Sequence, residues 1–219
     1  MDLFEIIGPV MIGPSSSHTA GAARIGRVTR KLLGERVVKA DIGFHGSFAM
    51  TWKGHGTDRA VVGGLMDMEV DDTRLRQSIR LAQAEGMEIS FHAVSIRDAH
   101  PNTVVVEVWG ESGAHMVVQA ASVGGGSIMV QAIDGIEVSF SGENNTLIVN
   151  HGDVPGAVAQ ITGILAWRGY NIATMNLSRT DEGGSAVTVL ELDCLPTEDI
   201  IEKLRSLPGI ERVTLMEGR

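Results

Sequence analysis

The 219-residue chain has one cysteine, Cys194. A single thiol cannot build an internal disulfide framework, nor can it supply the several thiolates that ligate an iron–sulfur cluster. The expected compartment is accordingly a reducing one, the cytoplasm. A basic surplus is also missing, since 18 Lys and Arg stand against 27 Asp and Glu, for a formal net charge of −9. Without a basic stripe to follow a phosphate backbone, no nucleic-acid partner is expected. Apolar runs are short and broken by glycine or charge, so no membrane-spanning helix is expected. The opening MDLFEIIGPV carries Asp2 and Glu5 where a signal peptide would be basic. HExxH, CxxC and EF-hand spacings are absent and the histidines are scattered, so no metal site is expected in this chain. GGGSIM follows a strand but opens another strand, which excludes a dinucleotide-binding fingerprint.

What is present is an ordinary globular composition, 43% hydrophobic and 21% charged, in a chain long enough for two domains. The polar, turn-rich SGENNT at 141–146 reads as the boundary, giving domains at 1–142 and 146–219. In the first domain the spacing of Ala22, Ile25, Val28 and Leu32 predicts a helix over 18–33, stopped by Gly34. RVVKADIGF reads as a strand, HGSFAMTWKGHGTDRAVVGGLM as a glycine-broken segment, and DTRLRQSIRLAQAEG as an amphipathic helix. Strands follow at EISFHAV, TVVVEVWG, AHMVVQAAS, SIMVQAI and IEVSF. Strands grouped late in a domain predict an α+β class with a mostly antiparallel sheet. From TLIVN onward the pattern is βαββαβ, a ferredoxin-like split.

GPSSSHTAG at 13–21 places three serines, a histidine and a threonine at a helix start. Unpaired backbone N–H groups fronted by hydroxyls suit an anion, but the same residues also serve as a helix cap with spare serines. His55 lies in KGHGTD between Gly54 and Gly56, which leave room for a substrate to approach its ring. Asp58 is placed to orient one ring nitrogen, as carboxylates do in triads. Read by itself the segment is equally a surface histidine in a loose glycine loop. His100 with Asn102 in AHPNT reads as a turn before a strand. His92 and His115 alternate with apolar strand residues and read as structural.

Two resemblances are carried by these motifs. NHGDVPGAVAQITGILAWRGYNIATM resembles the ACT domain, a small regulatory module of amino-acid enzymes. IGPSSSHTAGAARIGR, HGSFAMTWKGHGTDRA, HPNT and SVGGGSI, in that order, resemble the β chain of bacterial iron–sulfur L-serine dehydratases. The resemblance implies a β subunit acting in the conversion of L-serine to pyruvate and ammonia. It implies a 4Fe–4S cluster carried by a cysteine-bearing partner α chain, whose Lewis-acidic iron would bind the departing hydroxyl. The single cysteine here agrees with that division of labour.

The α-proton needs a base that is neutral near pH 7, and the family places its proposed base at the histidine matching His55. Asp58 and His100 are the other catalytic candidates. Ser15, Ser16, Ser17, His18, Thr19 and Asn102 are the substrate-binding candidates. Asn150, Asp153, Val154, Pro155 and Gly156 form the turn many ACT domains use for an effector, although the fold itself also requires this turn. His45 stands where relatives often carry tyrosine, and its role stays open. Self-association through the ACT domain is expected, because a ferredoxin-like sheet leaves an edge or face to cover. The first domain also resembles an effector-binding domain of some phosphoglycerate dehydrogenases. That keeps open a non-catalytic amino-acid-binding regulatory subunit or a sensor homodimer.

Overall fold

In a computed structural model of the protein, Met11, Gly13 and residues 15–218 are described. The opening MDLFEIIGPV, and Ile12 and Pro14 of IGPSSSHT, lie outside the described residues. The chain forms two compact units, divided after Gly135.

The first unit begins with a π-helical turn, Ser16–Gly21, which runs directly into α1 (Ala22–Leu33). The helix thus starts ahead of the predicted position, because Ser15 caps it by accepting the His18 N–H at 3.2 Å. Gly34 ends α1 in the left-handed conformation, φ 82°. Next come β1 (Val37–Phe44), α2 (Gly46–His55) and α3 (Thr57–Leu65). A 3₁₀ turn, Thr73–Gln77, then precedes α4 (Ser78–Ala84). The strands are β2 (Glu88–Ala93), β3 (Thr103–Gly110), β4 (His115–Gly124) and β5 (Ser127–Ile133). Within this unit the sheet order is β2-β1-β3-β4-β5. Only the β1–β2 pair is parallel in that order; the pairings of β1 with β3, β3 with β4 and β4 with β5 are antiparallel, as the α+β reading requires.

Two elements differ from the sequence reading. The glycine-broken segment 45–66 is two helices, because Gly56 adopts φ 73°, closes α2 through its N–H to Trp52 O, and lets α3 start in a new direction. The helix expected over DTRLRQSIRLAQAEG is split into the 3₁₀ turn and α4. Asp72 caps the turn by accepting from Arg74 N, and Ser78 spends its hydroxyl on Arg59 O at 2.6 Å. α2 is held on the sheet by aromatic packing: Phe44 meets Trp52 at 4.7 Å and Phe48 at 6.2 Å between ring centroids.

α1 and α3 cross with their backbones in direct contact. A methyl at Gly64 would strike Ala23 O, and one at Gly26 would strike Val61 O. The turn of consecutive glycines in SVGGGSI joins β4 to β5, with positive φ at Gly124, Gly125 and Gly126.

The second unit contains β6 (Ile136–Phe140), β7 (Asn145–Gly152), α5 (Ala157–Trp167), β8 (Ile172–Arg179), β9 (Ser185–Leu192), α6 (Glu198–Arg205) and β10 (Ile210–Met216). Its antiparallel sheet has the order β10-β7-β9-β8, which is the ferredoxin-like arrangement. Ile161, Ile164 and Leu165 of α5 and Ile200, Ile201 and Leu204 of α6 bury against Leu147, Val149 and Leu190 of the sheet.

The glycine contact gives a stability prediction. Alanine in a helix interior ordinarily gains about 1 kcal/mol over glycine. At Gly64 the added methyl must instead push α1 and α3 apart, so Gly64→Ala should destabilise by about 1–3 kcal/mol. Urea denaturation followed by circular dichroism measures it, and equal or raised stability would refute the close crossing.

Candidate active site

The π-helical turn, the C-terminus of α2 and the N-terminus of α3 meet around His18 and His55. Their ring centroids are 4.8 Å apart at 43°. Behind His18, Phe48 of α2 presents its edge at 5.0 Å. Ser15 Oγ lies 3.3 Å from His18 Nδ1 while it accepts the His18 backbone N–H. His18 Nε2 is buried without a protein partner. Burial, and then the neighbouring His55, hold His18 below the ordinary histidine pKa, so it is neutral at pH 7.

His55 is the last residue of α2, not part of a loose loop, and its exposed side chain lines a cavity of about 480 Å³. Thr19, Gly56, Arg59, Ala60 and Arg76 share that cavity. Thr19 Oγ1 and Thr57 Oγ1 are buried hydroxyls without a protein partner. Buried hydroxyls ordinarily find one; of these two, Thr19 lines the cavity and is available to a bound molecule. Gly54 has open space beside it, as the substrate-approach reading requires. The space beside Gly56 is taken by the Arg59 guanidinium.

The expected Asp58–His55 pairing is replaced by a local one. Asp58 Oδ1 accepts the Arg59 N–H at 2.8 Å, and burial raises the Asp58 carboxyl above its usual range against the opposing pull of that bond. His100 uses Nδ1 inside its own turn, accepting from Asn102 N at 3.1 Å. The turn nevertheless belongs to the same scaffold. Pro101 O accepts from Ser47 N at the start of α2, and Asn102 O accepts from Ser122 N at 3.0 Å. Ser122 in turn sits against Gly21, where a methyl would collide with its side chain. His45 accepts the Ile96 N–H on Nδ1 at 3.2 Å, which gives it a structural task. His92 faces Asp41 at 3.3 Å, and His115 faces Glu107 at 2.8 Å.

Sequence reasoning missed Arg59 and Arg76, the cations of the cavity. Arg59 directly follows the quoted KGHGTD, but nothing in a linear string indicates that its side chain folds back toward His55. Among the described residues no group of three or more His, Cys, Asp or Glu side chains could hold a metal ion, and Cys194 is exposed.

In the second unit the effector-turn candidates adjoin one another. Asn150 pairs opposite Val187 near the end of β7, and His151 is buried with Nε2 against Thr188 Oγ1 at 2.8 Å. Asp153 accepts from Gly183 N at 3.1 Å and from Arg179 Nη1 at 2.6 Å, which keep its carboxyl below the usual range. Val154 and Pro155 are exposed, and Gly156 at φ 90° opens α5.

With this geometry in view, the comparisons with known proteins become informative. The serine dehydratase beta chain family model matches residues 1–132, and the ACT domain model matches residues 145–209. The protein of Bacillus subtilis named "Probable L-serine dehydratase, beta chain" is 42% identical over 212 residues, 97% of this chain and 96% of its own length. The L-serine dehydratase, beta chain, of Peptoniphilus asaccharolyticus is 36% identical over 213 residues, 96% of this chain and 94% of its own. The D-3-phosphoglycerate dehydrogenase of Bacillus subtilis is 25% identical over 90% of this chain but only 37% of that enzyme.

The lowered His18 pKa gives a pH prediction. A histidine with a depressed folded pKa favours folding above its unfolded value near 6.5, and that stability is lost as pH falls through the folded pKa. His55→Ala removes the smaller of the two causes, so the His18 titration followed by NMR should move up part of the way. An unmoved His18 in a folded variant would show that the two rings do not sense each other.

Proposed function

The chain belongs to the serine dehydratase β chain family, and from that membership we propose that it is the β subunit of an L-serine dehydratase with a C-terminal ACT domain. The observation that carries the reading is His55, in ring contact with His18 and lining a cavity shared with the unpaired Thr19 hydroxyl and the Arg59 and Arg76 guanidinium groups. The overall reaction removes the Cα proton and the β-hydroxyl of L-serine as water, leaving the enamine 2-aminoacrylate; this tautomerises, by protonation at its β-carbon, to the imine, whose hydrolysis releases pyruvate and ammonia. His55 is the base for the Cα proton. His18, neutral at pH 7, lets that proton's positive charge settle on His55 without a second charge beside it.

Ser15, Ser16, Ser17, His18, Thr19 and Asn102 are assigned to substrate binding, with Asp58 and His100 in supporting catalytic roles. Asp58 acts through Arg59 and the start of α3, and His100 through the turn that seats α2.

The described residues do not fit a metal cluster, so no step is assigned to one in this chain. The 4Fe–4S cluster is assigned to the partner α chain, with which this chain forms a heteromeric enzyme of the cytoplasm. No helix among the described residues is long and apolar enough to cross a membrane. The domains are taken as 1–142 and 146–219. The turn of Asn150, Asp153, Val154, Pro155 and Gly156 is assigned to an effector, and the ACT unit to self-association. Edge strand β8 supports the latter, with Met175 51% and Leu177 47% exposed.

A second reading, a regulatory subunit without catalytic groups, is favoured by the match to a phosphoglycerate dehydrogenase along most of this chain. Reconstitution decides between them. The isolated chain should be colourless and inactive, and pyruvate should form from L-serine only with the α chain present under anaerobic conditions. In that complex His55→Ala should lower kcat by about 10²–10⁴-fold, whereas alanine at Ser16 or Ser17 should act chiefly on KM. Turnover by the single chain would refute the division of labour, and normal turnover by His55→Ala, His18→Ala and His100→Ala alike would establish the regulatory reading.

Self-association has its own test. Leu177→Lys should lower the mass of the assembly by light scattering, since it places a charge in the apolar edge. An unchanged mass across a concentration series would exclude β8 from the contact.

A further inference from the structure

We propose that Arg59 is the receptor for the substrate's carboxylate, and that Gly56 is glycine partly because the Arg59 guanidinium occupies the space beside it. This inference rests on the reading of the site as one for L-serine. A Cβ at Gly56 would stand 3.3 Å from Arg59 Nη2 and 3.5 Å from Nε, so the cation folds back over the residue that follows His55. Both residues line the same cavity, together with the buried, unpaired Thr19 hydroxyl.

The Asp58 carboxyl is 3.9 Å from Arg59 Nε, beyond hydrogen-bond reach, and spends itself on the Arg59 backbone N–H. No other carboxylate among the described residues pairs with this guanidinium. An α-amino acid whose Cα proton is taken by His55 carries its carboxylate one bond from the carbon that faces that ring. In a chain of formal net charge −9 such an anion needs a local cation, and a planar guanidinium offers two parallel N–H donors. Arg76, exposed on the 3₁₀ turn, lines the same cavity and adds to the positive potential, whereas it is the Arg59 guanidinium that lies beside Gly56.

The test compares L-serine with L-serinamide, which lacks the negative charge, in the complex reconstituted with the α chain. Arg59→Ala should raise KM for L-serine about 10- to 100-fold with kcat within a few-fold, because a bond to a charged group made in both ground and transition states is lost. The inhibition constant of L-serinamide against L-serine should stay within about two- to three-fold, since the amide has no charge to lose its partner. Arg59→Lys should recover part of the KM, and Arg36→Ala, at a separate cavity that neither His55 nor Arg59 lines, should leave both constants unchanged.

If Arg59→Ala does not assemble, Arg59→Gln is read by the same pair of constants. An unmoved KM for L-serine, or serine and serinamide weakened together, would overturn the assignment. Failure of the wild-type complex to dehydrate L-serine would overturn the parent reading and this inference with it, whereas turnover with an unmoved KM in the variant overturns this inference by itself.

Discussion

The candidate site depends on one close contact, the crossing of α1 and α3 at Gly26 and Gly64. Side chains at that crossing would hold the helices apart, and the residues displaced would be functional ones. His18 lies just ahead of α1 in the same continuous helix, and His55, Gly56 and Asp58 bracket the start of α3. Backbone-to-backbone packing leaves few ways for two helices to slide, because carbonyl oxygens and amides do not change rotamer as side chains do. A 4.8 Å separation between two rings on different elements is therefore set by glycines remote from either ring.

Burial does the electrochemical work at this contact. His18 is pressed between Phe48 and His55 with Nε2 out of water, so its neutral form wins at pH 7 without any carboxylate to assist. The Asp58 carboxyl is driven upward by the same cause while its backbone partner opposes it. The cavity beside these groups is cationic, through Arg59 and Arg76, within a chain of formal net charge −9. A small anion thus meets a local field opposite in sign to the whole protein's charge.

The second unit meets its requirements by different means. Its β7–α5 turn is tied down by Asp153 to Arg179 and to the Gly183 N–H of the β8–β9 hairpin, and by His151 to Thr188. These bonds satisfy the polar groups of the turn internally, while Val154 and Pro155 remain exposed. The turn chemistry in HGDVPG and the periodicity of ITGILAW made this unit legible from end to end, since both signals are local.

By itself the sequence determined the α+β class, the ferredoxin-like order of the second unit and the helix start at GPSSSHT. Each rests on near-neighbour physics: apolar periodicity, a serine cap, and turns at glycine or asparagine. It also singled out His18 and His55, by their motifs. Only the tertiary structure decided that 45–66 is two helices, since Gly56 could as well have broken a loop as capped one helix and released the next. It decided that the two rings touch, that Asp58 serves Arg59 and not His55, and that His45 supports a backbone amide. Arg59 belongs to the same class. Its position over Gly56 follows from where α3 leaves α2 at that left-handed glycine, and α3 is in turn packed on α1 through Gly64 against Ala23, a contact between residues distant in sequence and silent in any local pattern.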